Sequence, residues 1–145
     1  WELSEAIRYS DGYVRLLAGE KDILDALGDA ETVYMPVFVL GELYAGFRAS
    51  SRETENRKQL RDFLGRGTVH ILPATGQTAE VFGDLRHHLK IKGTPIPIND
   101  LWIAAQAVET GSFVVTYDEH FSHIPGLLLW PCYPFTEKTR QAVKP

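Results

Sequence analysis

The stretch TPIPINDLWIAAQAVETGSFVVTYDEHF, residues Thr94 to Phe121, decides the fold that this sequence predicts. After a proline-rich lead-in come good helix formers, with Asn99 or Asp100 as the predicted N-cap and Gly111 as the predicted C-cap. The next run, SFVVTY, predicts an apolar strand of the kind that parallel sheets bury on both faces. A helix that leads into a buried strand is the repeating unit of an α/β domain.

Strands and helices also alternate on the N-terminal side of this stretch. TVYMP and TVHILP predict strands, whereas VFVLGELYAGFRAS, ETENRKQLRDFLGR and GQTAEVFGDLRHHLKIKG have the length and spacing of helices. GLLLW predicts a last strand, and residues 131–145 are predicted to form a peripheral tail. This order predicts a single domain over residues 1–145, a three-layer α/β/α fold with a central, mostly parallel sheet.

Length and composition exclude several classes of protein. The 145 residues, 44% apolar and 23% charged, suit one globular domain with its own core. A single cysteine, Cys132, excludes an internal disulfide and a cysteine-rich zinc site, and fits a reducing, cytoplasmic setting. No apolar run approaches the roughly 20 residues of a membrane helix, and no signal-peptide pattern opens the chain. Because the chain begins at Trp1, whether its N-terminus is native stays open.

The net charge of −4 offers no global attraction to a nucleic acid, so such a partner would need local basic clusters or bound cations. Two clusters are present: Arg48, Arg52, Arg57, Lys58 and Arg61 in one, and Arg86, His87, His88, Lys90 and Lys92 in the other. Charge runs of this kind are most often solvated helix faces, and we interpret both clusters in that way.

Three acids stand in apolar surroundings. Glu42 lies within the apolar helix pattern VFVLGELYAGF, Asp100 opens a helix pattern, and Asp118 follows a strand. Each has an ordinary explanation: an ion pair or exposure for Glu42, a helix cap for Asp100 and a turn for Asp118. Together they suggest more, because three acids in one crevice repel each other unless a cation lies among them. Oxygen ligands suit Mg²⁺ or Mn²⁺, ions that activate water at phosphodiesters.

Beside Asp118, two histidines flank Phe121 in the segment HFSHIPG. For His120 and His123, a contact to a substrate and a packed loop explain the sequence equally well.

Three segments carry a resemblance to a known family. MPVFVLGELYAGF, PIPINDLWIAA and VVTYDEHF are similar, in order and spacing, to the second, third and fourth motifs of PIN-domain ribonucleases, and especially of VapC-type toxins of bacterial toxin–antitoxin pairs. The resemblance covers the chain from Asp11 to Trp130. It implies a Mg²⁺- or Mn²⁺-dependent endoribonuclease that cleaves single-stranded or looped RNA with metal-activated water. It also implies a homodimer and a cognate antitoxin that neutralises the enzyme.

The resemblance also implies the site residues. Glu42 matches the glutamate of the second motif, and Asp100 matches the aspartate of the third, with Asn99 beside it. Asp118 matches the aspartate of the fourth motif, and Thr116 the hydroxyl residue that supports the site. Glu42, Asp100 and Asp118 are thus the expected catalytic and metal-binding residues.

The first motif departs from the family pattern. That motif is a strand ending in Asp-Thr-Asn or Asp-Thr-Ser, whereas this chain has Tyr9, Ser10 and Asp11. Either Tyr9 replaces a metal ligand, or a two-residue shift of the strand makes Asp11 the fourth ligand, with Ser10 supporting the site. Replacement predicts an alternative function, a catalytically impaired PIN-domain protein that acts as a protein-binding module. A metal phosphatase on a similar sheet is a further alternative.

Overall fold

The computed structural model describes residues 32–116 and 119–130. They belong to two compact units, a first unit that ends at Pro73 and a second unit that begins at Ala74. The described part of each unit contains helices and two strands that pair in parallel. This architecture confirms the predicted α/β class with parallel strands. The assignment of residues 1–145 to a single domain stays a prediction.

In the first unit, strand β1 leads directly into helix α1, and helix α2 leads to strand β2. The bounds are Val33–Pro36 for β1, Val37–Ala49 for α1, Glu53–Leu64 for α2 and Val69–Leu72 for β2. The two strands pair from Val33 opposite Val69 to Pro36 opposite Leu72. Pro36 suits the end of β1 because a proline has no backbone N–H to donate to a strand ladder.

The apolar side of α1 provides much of the core of the first unit. Leu43 and Phe47 have no exposed surface, and their spacing of four residues places them on one face of the helix. From α2, Leu60 and Phe63 are buried, whereas Leu64 is half-buried at the end of the helix. The remaining face of α2 is polar and is left to solvent.

Three cations around α2 are paired with acids of that helix. Arg57 Nε lies 3.2 Å from Glu53 Oε1, and Arg48 Nη1 lies 3.5 Å from the same oxygen. Arg52 forms an ion pair with Glu55. Such exposed pairs stabilise a helix slightly. The first basic cluster is therefore largely neutralised by its own acids, which agrees with the prediction of a solvated helix face.

In the second unit, helices α3 and α4 precede two strands that are separated by a short 3-10 helix. The bounds are Gly76–Lys92 for α3, Ile98–Thr110 for α4, Phe113–Val115 for β3, Glu119–His123 for the 3-10 helix and Leu128–Trp130 for β4. Gly93 and Gly111 end α3 and α4, as predicted, with left-handed φ values of 70° and 66°. No helix in the described residues is both long and apolar enough to cross a membrane.

Two local predictions for the second unit are wrong. Helix α4 begins at Ile98 with Pro97 before it, so neither Asn99 nor Asp100 is its N-cap. The proline fixes φ at −53°, which lets the chain enter the helix earlier than the capping pattern suggests. Phe113 of β3 is 60% exposed rather than buried. The sheet to which it belongs has two strands in the described residues, too few to cover this side chain.

Helices α3 and α4 form an antiparallel hairpin. Residues 93–97 connect them, a length that is common in helical hairpins. Phe82 on α3 stacks on Trp102 on α4, with ring centroids 3.9 Å apart and ring planes inclined by 19°. At the end far from the connection, Thr78 Oγ1 on α3 donates a hydrogen bond to Glu109 Oε2 on α4 at 2.7 Å. These contacts fix how the two helices align along their length.

The far end of the hairpin is a closed hydrogen-bond cluster. Thr75 is the N-cap of α3 and forms a capping box with Thr78, each side chain accepting from the backbone N–H of the other residue. Both hydroxyls also donate to the carboxylate of Glu109, at 3.4 Å from Thr75 and 2.7 Å from Thr78. Thr78 has no exposed surface. A polar group buried in this way stabilises the fold only while all of its partners are present.

We expect the substitution Thr78→Val to lower the free energy of unfolding by about 1–3 kcal/mol, because it removes a capping acceptor and the shorter of the two hydrogen bonds to the part-buried Glu109 carboxylate. Urea denaturation followed by circular dichroism measures this loss. The matched control is Thr54→Val, at an exposed position in the first turn of α2, which should change the free energy by less than about 0.5 kcal/mol. Equal effects of the two substitutions would contradict a stabilising role for the cluster.

Candidate functional site

Asp100 is the most unusual side chain of the second unit. It is the third residue of α4, and its side chain has no exposed surface. Leu101 and Ile103, which follow it on the helix, are also buried. The first turn of a helix favours a negative charge because its backbone N–H groups carry partial positive charge. This location reduces the cost of burying the carboxylate, which in apolar surroundings would otherwise be several kcal/mol.

The closest charged neighbour of Asp100 among the described ion pairs is His120. Its Nδ1 lies 3.9 Å from Asp100 Oδ2, which is too long for a direct hydrogen bond but close enough for an ion pair when the imidazole is protonated. The imidazole is 56% exposed, whereas the carboxylate is fully buried. His120 therefore lies between a buried acid and solvent, where a bound substrate could touch it.

The 3-10 helix holds His120 in place through its apolar neighbours. Phe121 is 2% exposed and Ile124 is 5% exposed, so this segment is anchored in the core of the second unit. His123, by contrast, is exposed and forms no ion pair with the described residues. Of the two sequence explanations, the packed loop is right for the segment as a whole, and His120 is in addition adjacent to the candidate site.

Two predicted supporting residues lie in the expected elements. Asn99 is the second residue of α4 and is half-buried beside Asp100 in sequence. Thr116 directly follows β3 and is 4% exposed. Helix α4 packs against β3, and the carboxyl end of such a strand is where α/β sheets commonly build a site.

The remaining predicted site residues lie in the other unit or outside the described residues. Glu42 is half-buried on α1, within the first unit, whereas Asp100 belongs to the second unit. Tyr9, Ser10, Asp11 and Asp118 lie outside the described residues. A metal site formed by these acids with Asp100 therefore stays a prediction.

The chemistry of Asp100 fits a divalent metal, although the described residues do not complete a site. A buried carboxylate supplies the hard oxygen ligand that Mg²⁺ and Mn²⁺ prefer, and the adjacent histidine offers a nitrogen. Within residues 32–116 and 119–130, no group of three His, Cys, Asp or Glu side chains has a geometry that could hold a metal ion. Asp118, an expected ligand outside the described residues, is separated from His120 by one residue of sequence.

The contact between His120 and Asp100 is a feature that the sequence alone did not single out. The two residues are twenty positions apart in the sequence. The apolar residue Phe121, which is buried, indicated only that the segment around it packs against the core. Spacing of this kind cannot predict which of two nearby histidines lies beside a carboxylate, because residues three apart on a 3-10 helix share one face and differ only in their position along the axis.

Comparisons with known proteins connect this geometry to a family. Ribonuclease VapC2 from Rickettsia felis is 33% identical over 107 residues, which are 73% of this chain and 78% of the relative. Ribonuclease VapC5 from Mycobacterium tuberculosis is 31% identical over 96 residues, 66% of this chain and 71% of the relative. Both similarities agree with the resemblance carried by the three sequence motifs.

A solved structure shares the fold. The crystal structure of VapBC2 from Rickettsia felis bound to a DNA fragment from the promoter contains a chain that superimposes with a TM-score of 0.73 at 28% identity, covering 83% of this chain and 92% of that one. The family model described as PIN domain matches residues 14–127, which include α1, α4 and the 3-10 helix. The predicted PIN-like fold is thus confirmed, and the chain belongs to the PIN domain family.

Proposed function

We propose that this chain is a Mg²⁺- or Mn²⁺-dependent endoribonuclease, the toxin of a toxin–antitoxin pair. The observation that carries the proposal is Asp100, a fully buried carboxylate in the first turn of α4. It occupies the position at which the third PIN motif has its acid. The similarity to proteins named ribonucleases supports the RNA-cleaving activity. RNA, single-stranded or looped, is the proposed substrate.

We assign the metal to Asp100, Glu42 and Asp118. Asp11 is a fourth ligand only if the first-motif strand is shifted by two residues. When bound, the metal supplies an activated water and stabilises negative charge on the scissile phosphate. Asp100 contributes a charge that solvent does not screen, so its attraction for a cation is stronger than that of a surface acid.

The other residues near Asp100 have supporting roles in this proposal. His120 is on the exposed side of the carboxylate, where its ring N–H groups can donate to a phosphate oxygen of the substrate or to Asp100 itself. Thr116 and Asn99 offer a hydroxyl and an amide that can orient the carboxylates. These groups bind and position the substrate, and they exclude bulk water from the acid.

A partner protein is the second part of the proposal. The similar solved structure is a VapBC complex, and we infer a cognate antitoxin for this chain, together with the predicted homodimer and cytoplasmic location. Helix α1 supports a docking surface in the first unit. Val37 and Tyr44 are 41% and 37% exposed there, and Arg57 lies over the Tyr44 ring at 4.9 Å. Exposed apolar and aromatic side chains on a helix are common anchors for a protein partner.

One observation favours a second candidate function. In the alignment without a strand shift, Tyr9 stands where the first motif has its aspartate. A site with one carboxylate fewer holds a divalent metal more weakly, although water can fill a coordination position of Mg²⁺. In that case the chain would keep the fold and bind the antitoxin without turning over RNA.

We expect Asp100→Asn to reduce Mn²⁺-dependent RNA cleavage at least about 100-fold. Mutating a residue that only orients a metal ligand costs up to about 100-fold, and removing a ligand itself should cost at least as much. A labelled RNA incubated with Mn²⁺, with and without a chelator, measures the effect. Because the amide replaces a buried charge at the same volume, the thermal midpoint should not fall. Asp62→Asn, at an exposed position on α2, is the matched control and should retain activity. Wild-type cleavage by Asp100→Asn would refute the site.

A pair of substitutions distinguishes the two interpretations of the first motif. If Tyr9 replaces a ligand, Tyr9→Asp should tighten Mn²⁺ binding and raise cleavage by about 10- to 100-fold, and Asp11→Asn should change little. Replacement is the outcome we expect. Calorimetric titration with Mn²⁺ and the cleavage assay provide the two measurements. A loss of binding in Asp11→Asn, without a gain in Tyr9→Asp, would instead identify Asp11 as the ligand.

A further inference from the structure

The second basic cluster forms a continuous cationic face on α3. Arg86, His87 and Lys90 are all exposed, and their spacing places them side by side over one turn. Arg86 and Lys90 are four residues apart, a spacing at which like charges destabilise a helix. We call Arg86 and Lys90 the α3 cationic face. Two cations at this spacing slightly lower the stability of the helix, so their presence calls for an explanation.

Unlike Arg48, Arg52 and Arg57, the residues of the α3 cationic face are not neutralised by acids of the described residues. No acidic side chain in residues 32–116 or 119–130 forms an ion pair with Arg86, His87 or Lys90. The residues one turn before Arg86 are Phe82 and Gly83, and those one turn before Lys90 are basic. Asp84 lies three residues before His87, but the described residues contain no ion pair between the two. The explanation that applies to the first basic cluster therefore fails for the second.

The helix dipole explains only part of the cluster. Cations in the last turn of a helix are favoured by its unpaired carbonyl groups, and Lys90 and Lys92 lie in the last turn of α3. Arg86 lies six residues before the end of the helix, and the effect falls off beyond the final turn. The charge on Arg86 is thus left without a structural reason.

The hairpin places the α3 cationic face at the level of Asp100. Phe82 and Trp102 are in contact and mark a common level on the two helices. Toward the connection, Arg86 is four residues from Phe82, or about 6 Å at 1.5 Å per residue. Asp100 is two residues from Trp102 in the same direction, or about 3 Å. The two residues therefore lie within one helical turn of each other along the hairpin.

We propose that the α3 cationic face binds phosphate groups of the RNA strand on either side of the phosphate that is cleaved at Asp100. This inference rests on the proposed function, which it deepens by naming a substrate-binding surface. A chain with a net charge of −4 needs a local positive surface to hold RNA near an acidic site. A pair of unneutralised cations about 5–6 Å apart at their Cβ atoms supplies one.

The salt dependence of RNA binding tests the proposal. The wild-type chain, in a chelator that prevents metal-dependent cleavage, is titrated into a labelled unstructured RNA at several salt concentrations, and fluorescence anisotropy gives the affinity. Each phosphate neutralised on a single strand contributes about 0.7 to the slope of log affinity against log salt. The double substitution Arg86→Gln with Lys90→Gln should therefore reduce the slope by about 1.4 and weaken binding.

The control is Lys58→Gln with Arg61→Gln, which removes the same charge from exposed positions of α2. Its slope should equal that of the wild type. Glutamine is a good helix former, so both variants should keep the thermal midpoint of the parent. A reduced slope only in the α3 variant supports the proposal. An unchanged slope overturns it, as does an equal reduction in both variants, which would indicate general electrostatics.

A parallel cleavage assay with Mn²⁺ separates the failure of this inference from that of the proposed function. If the parent cleaves RNA and the α3 variant keeps the slope of the parent, only the α3 inference fails. In that case Ile91, 72% exposed beside His87 on the helix, would favour a protein as the occupant. If the parent binds RNA through α3 without cleaving it, the inference holds and the nuclease function fails. If the parent does not bind RNA, the inference is refuted.

Discussion

The burial of the Asp100 carboxylate is the constraint on which the candidate site depends. A charge with no exposed surface needs favourable electrostatic partners, or it costs several kcal/mol of stability. The first turn of α4 provides backbone N–H dipoles, and His120 provides an imidazole at 3.9 Å. Both are contributions of the fold itself. They allow the chain to keep an acid in its core before any ligand is present, which is the preorganisation that a metal or phosphate site requires.

The α3–α4 hairpin divides stability and function between its two ends. At one end, Thr75, Thr78 and Glu109 form a hydrogen-bond cluster that holds the helices together. In the middle, Phe82 and Trp102 stack and exclude water. The opposite end, near the connection between the helices, holds the Asp100 carboxylate, with the His120 imidazole beside it. Rigid support at a distance from a candidate site helps to hold a side chain such as Asp100 in one position.

The sequence predicted the elements well because their signals are local. Gly93 and Gly111 end helices at positive φ, and short apolar runs become the strands. The start of α4 was missed because Pro97 overrides the capping preference of the residues that follow it. The exposure of Phe113 depends on how many strands neighbour β3, which a run of apolar residues does not encode.

The candidate site was predicted less completely, for a physical reason. Motif spacing identified Asp100 as special, and its burial agrees with that assignment. The contact with His120 and the link from Thr78 to Glu109 join residues 20 and 31 positions apart, and such pairings depend on helix orientation rather than on composition. The roles of Glu42, Asp11 and Asp118 rest on the family resemblance and stay predictions.

The two basic clusters show why charge patterns must be interpreted together with their neighbours. In sequence they are alike in number, since each contains five basic residues. On α2 an acid lies three or four residues from Arg52 and Arg57, so the charges of these two arginines are neutralised by ion pairs. On α3 the equivalent positions before Arg86 are a phenylalanine and a glycine, and the charge is available to a ligand. The difference lies in the spacing of the acids, not in the number of cations, and spacing can be read from a sequence once the helices are known.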